Sequence, residues 1–156
     1  EDGEHIEYYE NGQMSEKGNY KNGKEDGEFT SWYEDGQIWS KENYKDGEQH
    51  GKDLNWSEDG KIFWDKNYKD GLEHGKQLMY FSNGKLFQEE NYKVGVQHGK
   101  QYTYDLFGDL TEEENYKDGE IDGEQLIFLD GEIDEVEIYK DGEFLDSYEE
   151  KKPKSK

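Results

Sequence analysis

Short runs of alternating apolar and polar residues recur along this chain, separated by glycine turns. In the stretch from Gly75 to His98, Leu78 and Tyr80 fall on one face of a predicted strand and Met79 and Phe81 on the other. Asn83-Gly84 follows, and a second strand is predicted from Lys85 to Lys93. Asn-Gly or Asp-Gly between such runs is the strongest short hairpin signal. The unit then repeats. Opening glycines stand at Gly3, Gly27, Gly51, Gly75, Gly99 and Gly123, always 24 residues apart. Turn glycines follow at Gly12, Gly36, Gly60, Gly84 and Gly108, then at Gly131, one residue early. Tyr20, Tyr44, Tyr68, Tyr92, Tyr116 and Tyr139 each precede a further glycine by three residues.

The turn can be read more closely. A three-residue loop, Ser82-Asn83-Gly84 with glycine left-handed, pairs Phe81 with Lys85 and sets Tyr80 opposite Leu86. The same register gives Tyr8 with Met14, Trp32 with Ile38, Trp56 with Ile62 and Tyr104 with Leu110. The sixth repeat has lost one residue, and its two-residue loop Asp130-Gly131 still sets Phe128 opposite Ile133. That deletion preserves the pair only if the other loops hold three residues.

Strict alternation from Leu86 to Tyr92 puts the tyrosine series on the same face as these pairs, with Ile6, Leu54, Leu78, Tyr102 and Leu126. The opposite face then carries Tyr9, Tyr33, Ser57, Phe81, Asp105 and Leu129 beside lysines and asparagines. The expected fold is all-β: an elongated single-layer antiparallel meander of about twelve strands, in six 24-residue hairpin repeats. Twelve strands would span roughly 58 Å at ~4.8 Å per strand. Residues 1–146 comprise the repeats, with Phe144, Leu145 and Tyr148 suggesting a C-terminal cap. Residues 147–156 read as a basic, disordered tail. The opening Glu1-Asp2-Gly3 has the phase of Glu25-Asp26-Gly27, as if the sequence began inside a loop.

Composition sharpens this. Charged residues are 38% and hydrophobic residues 29%, which leans toward disorder, but aromatics are 15%, half of the hydrophobic total. Regular aromatic spacing indicates an ordered repeat array with little core. Alanine and arginine are absent, which disfavours a helical array. A net charge of −22 makes nucleic acid and anionic membrane poor partners and a basic protein a natural one. With no cysteine, the chain carries no disulfide framework.

The runs YKDGEQHGK (44–52, followed by Trp56) and YKDGLEHGK (68–76, followed by Tyr80) resemble the MORN repeat in its bacterial variant form. The resemblance covers nearly the whole chain, from Gly3 to about Gly142. It implies a repeat of hairpins and, because members of this variant are widely labelled antitoxins, an antitoxin type of role. Other MORN arrays are scaffolds or proposed lipid binders. Asp26 and Asp122 replace the histidine of the pattern, so that histidine is not obligatory.

Catalytic and metal chemistry find little support. His50, His74 and His98 recur two strands apart, roughly 9.6 Å, too far to share one zinc at ~2.0–2.1 Å. They are expected to pack on their turns or bond to backbone. Asp118, Glu120 and Asp122 imitate half of a calcium loop, but Leu129 stands where a bidentate glutamate is needed. No nucleophile–histidine set stands outside the repeat pattern, so neither an enzyme nor a cofactor is expected.

Tryptophan does stand out. Trp32 and Trp56 fill the regular column and read as core. Trp39 and Trp64 do not, since their equivalents include Ser15, Thr111, Gln88 and Glu112. With Tyr33, Phe63 and Phe87 they form the candidate partner-binding set, because aromatics of this kind anchor interfaces. Their adjacent offsets predict opposite faces for Trp39 and Trp64. The function expected is a non-enzymatic protein-binding module of antitoxin or immunity type, neutralising a basic partner in a bacterial cytoplasm. The alternative is a secreted or cell-envelope repeat protein with an adhesive or structural role.

Overall fold

The structure, a computed structural model, describes residues 2–149. Among them there is no helix. The first three repeats supply β1 (Gly3–Tyr8), β2 (Met14–Lys21), β3 (Lys24–Glu25), β4 (Gly27–Trp32), β5 (Ile38–Lys45), β6 (Glu48–Trp56) and β7 (Ile62–Lys69). The fourth and fifth add β8 (Leu72–Glu73), β9 (Gly75–Tyr80), β10 (Leu86–Lys93), β11 (Val96–Gln97), β12 (Gly99–Tyr104) and β13 (Leu110–Lys117). The last supplies β14 (Glu120–Ile121), β15 (Gly123–Leu129) and β16 (Glu132–Lys140), and β17 (Glu143–Glu149) follows. Strands pair antiparallel in chain order, and every substantial contact joins elements close in sequence. The result is the expected single-layer meander.

Twelve of the strands are the repeat pairs. The others are four two-residue segments and β17, which continues to Glu149, three residues beyond the boundary expected at 146. The tail expected from there on lies, after Glu149, outside the described residues. The two-residue segments arise where an opening glycine of positive φ, such as Gly75 at 87°, breaks the strand that returns from the connection, whereas β6 continues through Gly51. The connection itself is a two-residue turn. Asp70 and Gly71 have φ of 50° and 77°, the paired positive values that a type I′ hairpin turn requires.

The hairpin loops match the three-residue reading. The Phe81 N–H donates to the Lys85 carbonyl at 2.8 Å, and the Gly84 N–H donates back to the Phe81 carbonyl at 2.8 Å. All six pairs form: Tyr8 with Met14, Trp32 with Ile38, Trp56 with Ile62, Tyr80 with Leu86, Tyr104 with Leu110 and Phe128 with Ile133.

The tyrosine series, however, does not share their face. One residue after each pair the register slips: Tyr80 faces Leu86, but Met79 faces Gln88, leaving Phe87 as a β-bulge. Ser15, Trp39, Phe63, Thr111 and Asp134 occupy the same place in the other repeats. An extra residue inverts the alternation downstream. Tyr92 therefore points to the face of Met79 and Phe81, while Glu89 and Asn91 join Leu78 and Tyr80. The pair face is in consequence half ionic, with Lys52–Asp65 at 2.5 Å and Lys76–Glu89 at 2.6 Å beside the apolar columns.

The tyrosine face holds most of what little is buried. Phe29 is packed edge-on between Tyr20 and Tyr44, at 5.5 and 5.3 Å. At the corresponding position of later repeats, Gln77 and Gln101 are almost completely enclosed. Each repairs a gap in the ladder. Where β7 changes partner from β8 to β9, the Asn67 N–H donates to Gln77 Oε1 at 2.6 Å, and Gln77 Nε2 donates to the Asn67 carbonyl at 2.8 Å. Gln101 treats Asn91 alike, at 2.7 and 3.1 Å.

Candidate partner-binding face

The bulge decides where the candidate aromatics point. Trp64 is aligned with Asn55, the neighbour of Trp56, so it lies on the face opposite the Trp56–Ile62 pair. The Phe63 ring packs on Trp64 with centroids 4.9 Å apart. Phe87 packs on Phe81 at 4.8 Å, and Trp39 on Tyr33 at 6.5 Å. Tyr33, Trp39, Phe63, Trp64 and Phe87 therefore share the tyrosine face. The expectation that Trp39 and Trp64 oppose each other fails, because strict alternation was counted through the bulge. All five are partly exposed, Phe87 most of all.

Polar groups tie this aromatic cluster to the sheet. The Tyr33 hydroxyl donates to the Trp56 carbonyl at 2.8 Å, and the Tyr9 hydroxyl to the Trp32 carbonyl at 2.6 Å. Each ring thus leans across to the next repeat. Lys66 holds its ammonium 4.8 Å from the Trp64 ring centre, a cation–π contact, and also pairs with Glu73 at 3.3 Å. The Trp64 indole nitrogen is buried without a full hydrogen bond, although it lies near enough to the Asp53 carboxyl to favour its charge.

Carboxylates flank the cluster. On the same face, Tyr44, Tyr92, Tyr116 and Tyr139 donate their hydroxyls to Glu42, Glu90, Glu114 and Glu137. Burial and the nearby Glu73, Asp53 and Glu42 push the Tyr68 hydroxyl up to about 12. Burial, then repulsion from Glu42, raises Asp53 to about 6, with Asn55, Lys66 and Trp64 opposing the rise. Because this acid binds its proton more tightly when folded, its contribution to stability is full below about pH 3.8 and is lost as pH rises through about 6. Asp53→Asn is therefore expected to raise Tm at neutral pH, leave it nearly unchanged at acid pH, and flatten the slope between. Equal shifts at both pH values would show that Asp53 is not the group responsible.

The histidines serve the connections. The Asp70 N–H donates to His50 Nδ1 at 3.4 Å, that of Val94 to His74 at 3.3 Å and that of Asp118 to His98 at 3.5 Å. Where Asp122 replaces histidine, its carboxylate accepts the Asp141 N–H at 3.3 Å. Backbone bonding is one of the two roles expected of them.

One feature escaped the sequence reading. The hairpin tip Leu106-Phe107 is apolar and highly exposed, Phe107 at 79%, where the first three tips carry Glu10-Asn11, Glu34-Asp35 and Glu58-Asp59. Comparing tips by position would have revealed it.

The chain matches the family model described as MORN repeat variant over residues 1–22, 25–46, 73–93 and 97–118, more than half its length. It belongs to the MORN repeat variant family. Repeats of this kind generally serve as protein- or membrane-binding modules. No curated protein matches the chain. Most of the third MORN repeat, with Asp53, Ser57, Phe63 and Trp64, lies outside the matched stretches, so part of the aromatic cluster is built from residues beyond them.

Proposed function

We propose that this MORN protein is a non-enzymatic binding module that captures a basic protein on its tyrosine face, in the manner of an antitoxin or immunity protein. The observation that carries this reading is the gathering of Tyr33, Trp39, Phe63, Trp64 and Phe87 on one face with acidic residues around them. Large aromatics supply contact area at low entropic cost, and a net charge of −22 steers cationic partners toward the sheet.

Trp39 is the first residue to test, since its ring rests on Tyr33 alone among the aromatics. Chain immobilised on a support is exposed to lysate of the native organism, and retained proteins are compared with those held by Trp39→Ala. The expected result is a basic protein released by salt, whose affinity falls by ~2 kcal/mol or about thirtyfold in the variant. Tm should change little. Retention of the same protein by both chains, or of acidic proteins only, contradicts the proposal. Retention of glycan instead supports the envelope or adhesive reading.

A further inference from the structure

The tyrosine face contains an open slot that the repeat pattern itself explains. In the first two repeats, the residue after the strand pair is Tyr9 or Tyr33, and its ring bridges to the next repeat. In the third repeat that residue is Ser57. Its hydroxyl turns back to Asp59 at 2.5 Å and to the Lys61 carbonyl at 3.0 Å, so nothing from this position bridges to the fourth repeat. A cavity of about 540 Å³ remains, lined by Ser57, Ile62, Phe63, Phe81 and Ser82, with Glu58, Asp59 and Lys61 at its rim.

The rim selects the occupant. Lys61 is committed, with its ammonium 2.8 Å from Asp59 and 2.8 Å from the Ser82 carbonyl. Hydrogen bonds from Lys61 and Ser57 hold Asp59 down at about 2, so it stays ionised. Glu58 also borders the neighbouring cleft of Tyr9, Tyr33, Glu34 and Asp35, which has no lysine in its lining. An apolar floor beside a continuous acidic margin fits an apolar side chain flanked by cationic residues.

We infer that the Ser57 slot is an anchor pocket for one aromatic or large aliphatic side chain of a lysine- or arginine-rich segment. This rests on the proposed capture of a basic protein and specifies how it is held. The tyrosine of the earlier repeats is the internal counterpart of the ligand, which occupies the place that ring would fill. Ser57→Tyr should therefore close the pocket with the chain's own side chain, its hydroxyl directed to the Tyr80 carbonyl as Tyr33 is to Trp56.

The test uses three pentapeptides and ¹⁵N-labelled chain observed by NMR. One peptide has phenylalanine between two pairs of lysines, the second alanine in its place, and the third phenylalanine between two pairs of glutamates. The lysine–phenylalanine peptide is expected to shift the amides of Ser57, Phe63 and Phe81 and to bind at least tenfold more tightly than the other two. Ser57→Tyr should abolish those shifts while keeping or raising Tm, and Ser57→Ala, which leaves the slot open, should bind like the parent. If the variant unfolds, Ser57→Ala and the alanine peptide still decide the matter. Equal binding by the two lysine peptides, with shifts confined to acidic residues, overturns the pocket but leaves capture of a basic partner standing. Equal binding by both phenylalanine peptides at the slot overturns the cationic requirement and with it the functional reading. No shift at the slot with any peptide overturns the inference.

Discussion

Phe29→Ala is expected to destabilise the chain by ~3–5 kcal/mol, the range for truncating a buried aromatic ring. Among the described residues only Phe29 and Val136 are buried apolar side chains, so the loss is large for this sheet. The ring owes its place to Gly18. A Cβ built there would lie 2.2 Å from the Phe29 ring, inside any real contact distance. Other repeats put Glu42, Lys66, Glu90 or Glu114 at the Gly18 position and Asp53, Gln77 or Gln101 at the Phe29 position. The two positions are therefore coupled. Gly18→Glu alone should expel the ring, and Phe29→Gln alone should leave a gap. The double variant, which copies the Glu90–Gln101 pair of the fourth and fifth repeats, should cost less than the sum of the two. Urea melts of the four proteins give the coupling directly, and strict additivity would falsify the packing account.

Gln77→Leu should lower stability by ~1–3 kcal/mol, although it puts an apolar side chain into an enclosed site. The gain in apolarity is outweighed because the Asn67 N–H loses its acceptor where no strand supplies another. The Asn67 carbonyl keeps the His74 N–H at 2.9 Å, so the damage is confined to one donor. Gln77→Glu keeps an acceptor for that N–H but sets its second oxygen against the carbonyl. It should recover stability only at acid pH, where the carboxyl is protonated and can donate. Hydrogen exchange at Asn67 is the direct readout. Exchange unchanged from the parent in Gln77→Leu would mean that water or another group already serves the amide.

The contrast between these sites and the hairpin loops shows what the sequence makes legible. Loop register could be derived because the shortened sixth repeat kept Phe128 opposite Ile133, a natural deletion experiment within one chain. The bulge left no comparable trace. Its residue is Ser15, Trp39, Phe63, Phe87, Thr111 or Asp134, types that share neither size nor polarity. Alternation counted through it puts the tyrosines on the pair face and sets Trp39 and Trp64 on opposite faces, neither of which holds. The clue lay in Gly18 and Phe29, whose joint departure from the pattern makes sense only if they face each other. The candidate aromatics could be chosen as departures from the repeat, but their gathering on one side depended on the bulge. Ser57 was visible as an exception in the column of Tyr9 and Tyr33. Its importance emerged only with the placement of those tyrosine rings: the cleft beside Tyr9 and Tyr33 is lined by the rings and acidic residues, whereas at Ser57 the apolar floor of Ile62 and Phe63 is uncovered.

Strand pairing confined to near neighbours also governs how the chain emerges from the ribosome. The widest hairpin pairing, Gly3 with Tyr20, spans 17 residues, and the Tyr33–Trp56 bridge spans 23. A ribosome adding ~5–20 residues per second delivers such a span in about 1–5 s. Hairpins close in ~1–10 μs, so each repeat can dock on the one before it as soon as it is made, while bridges such as Tyr33 to Trp56 wait for the repeat that follows. The sheet is then extended one hairpin at a time during synthesis, and its only growing edge is the strand most recently translated.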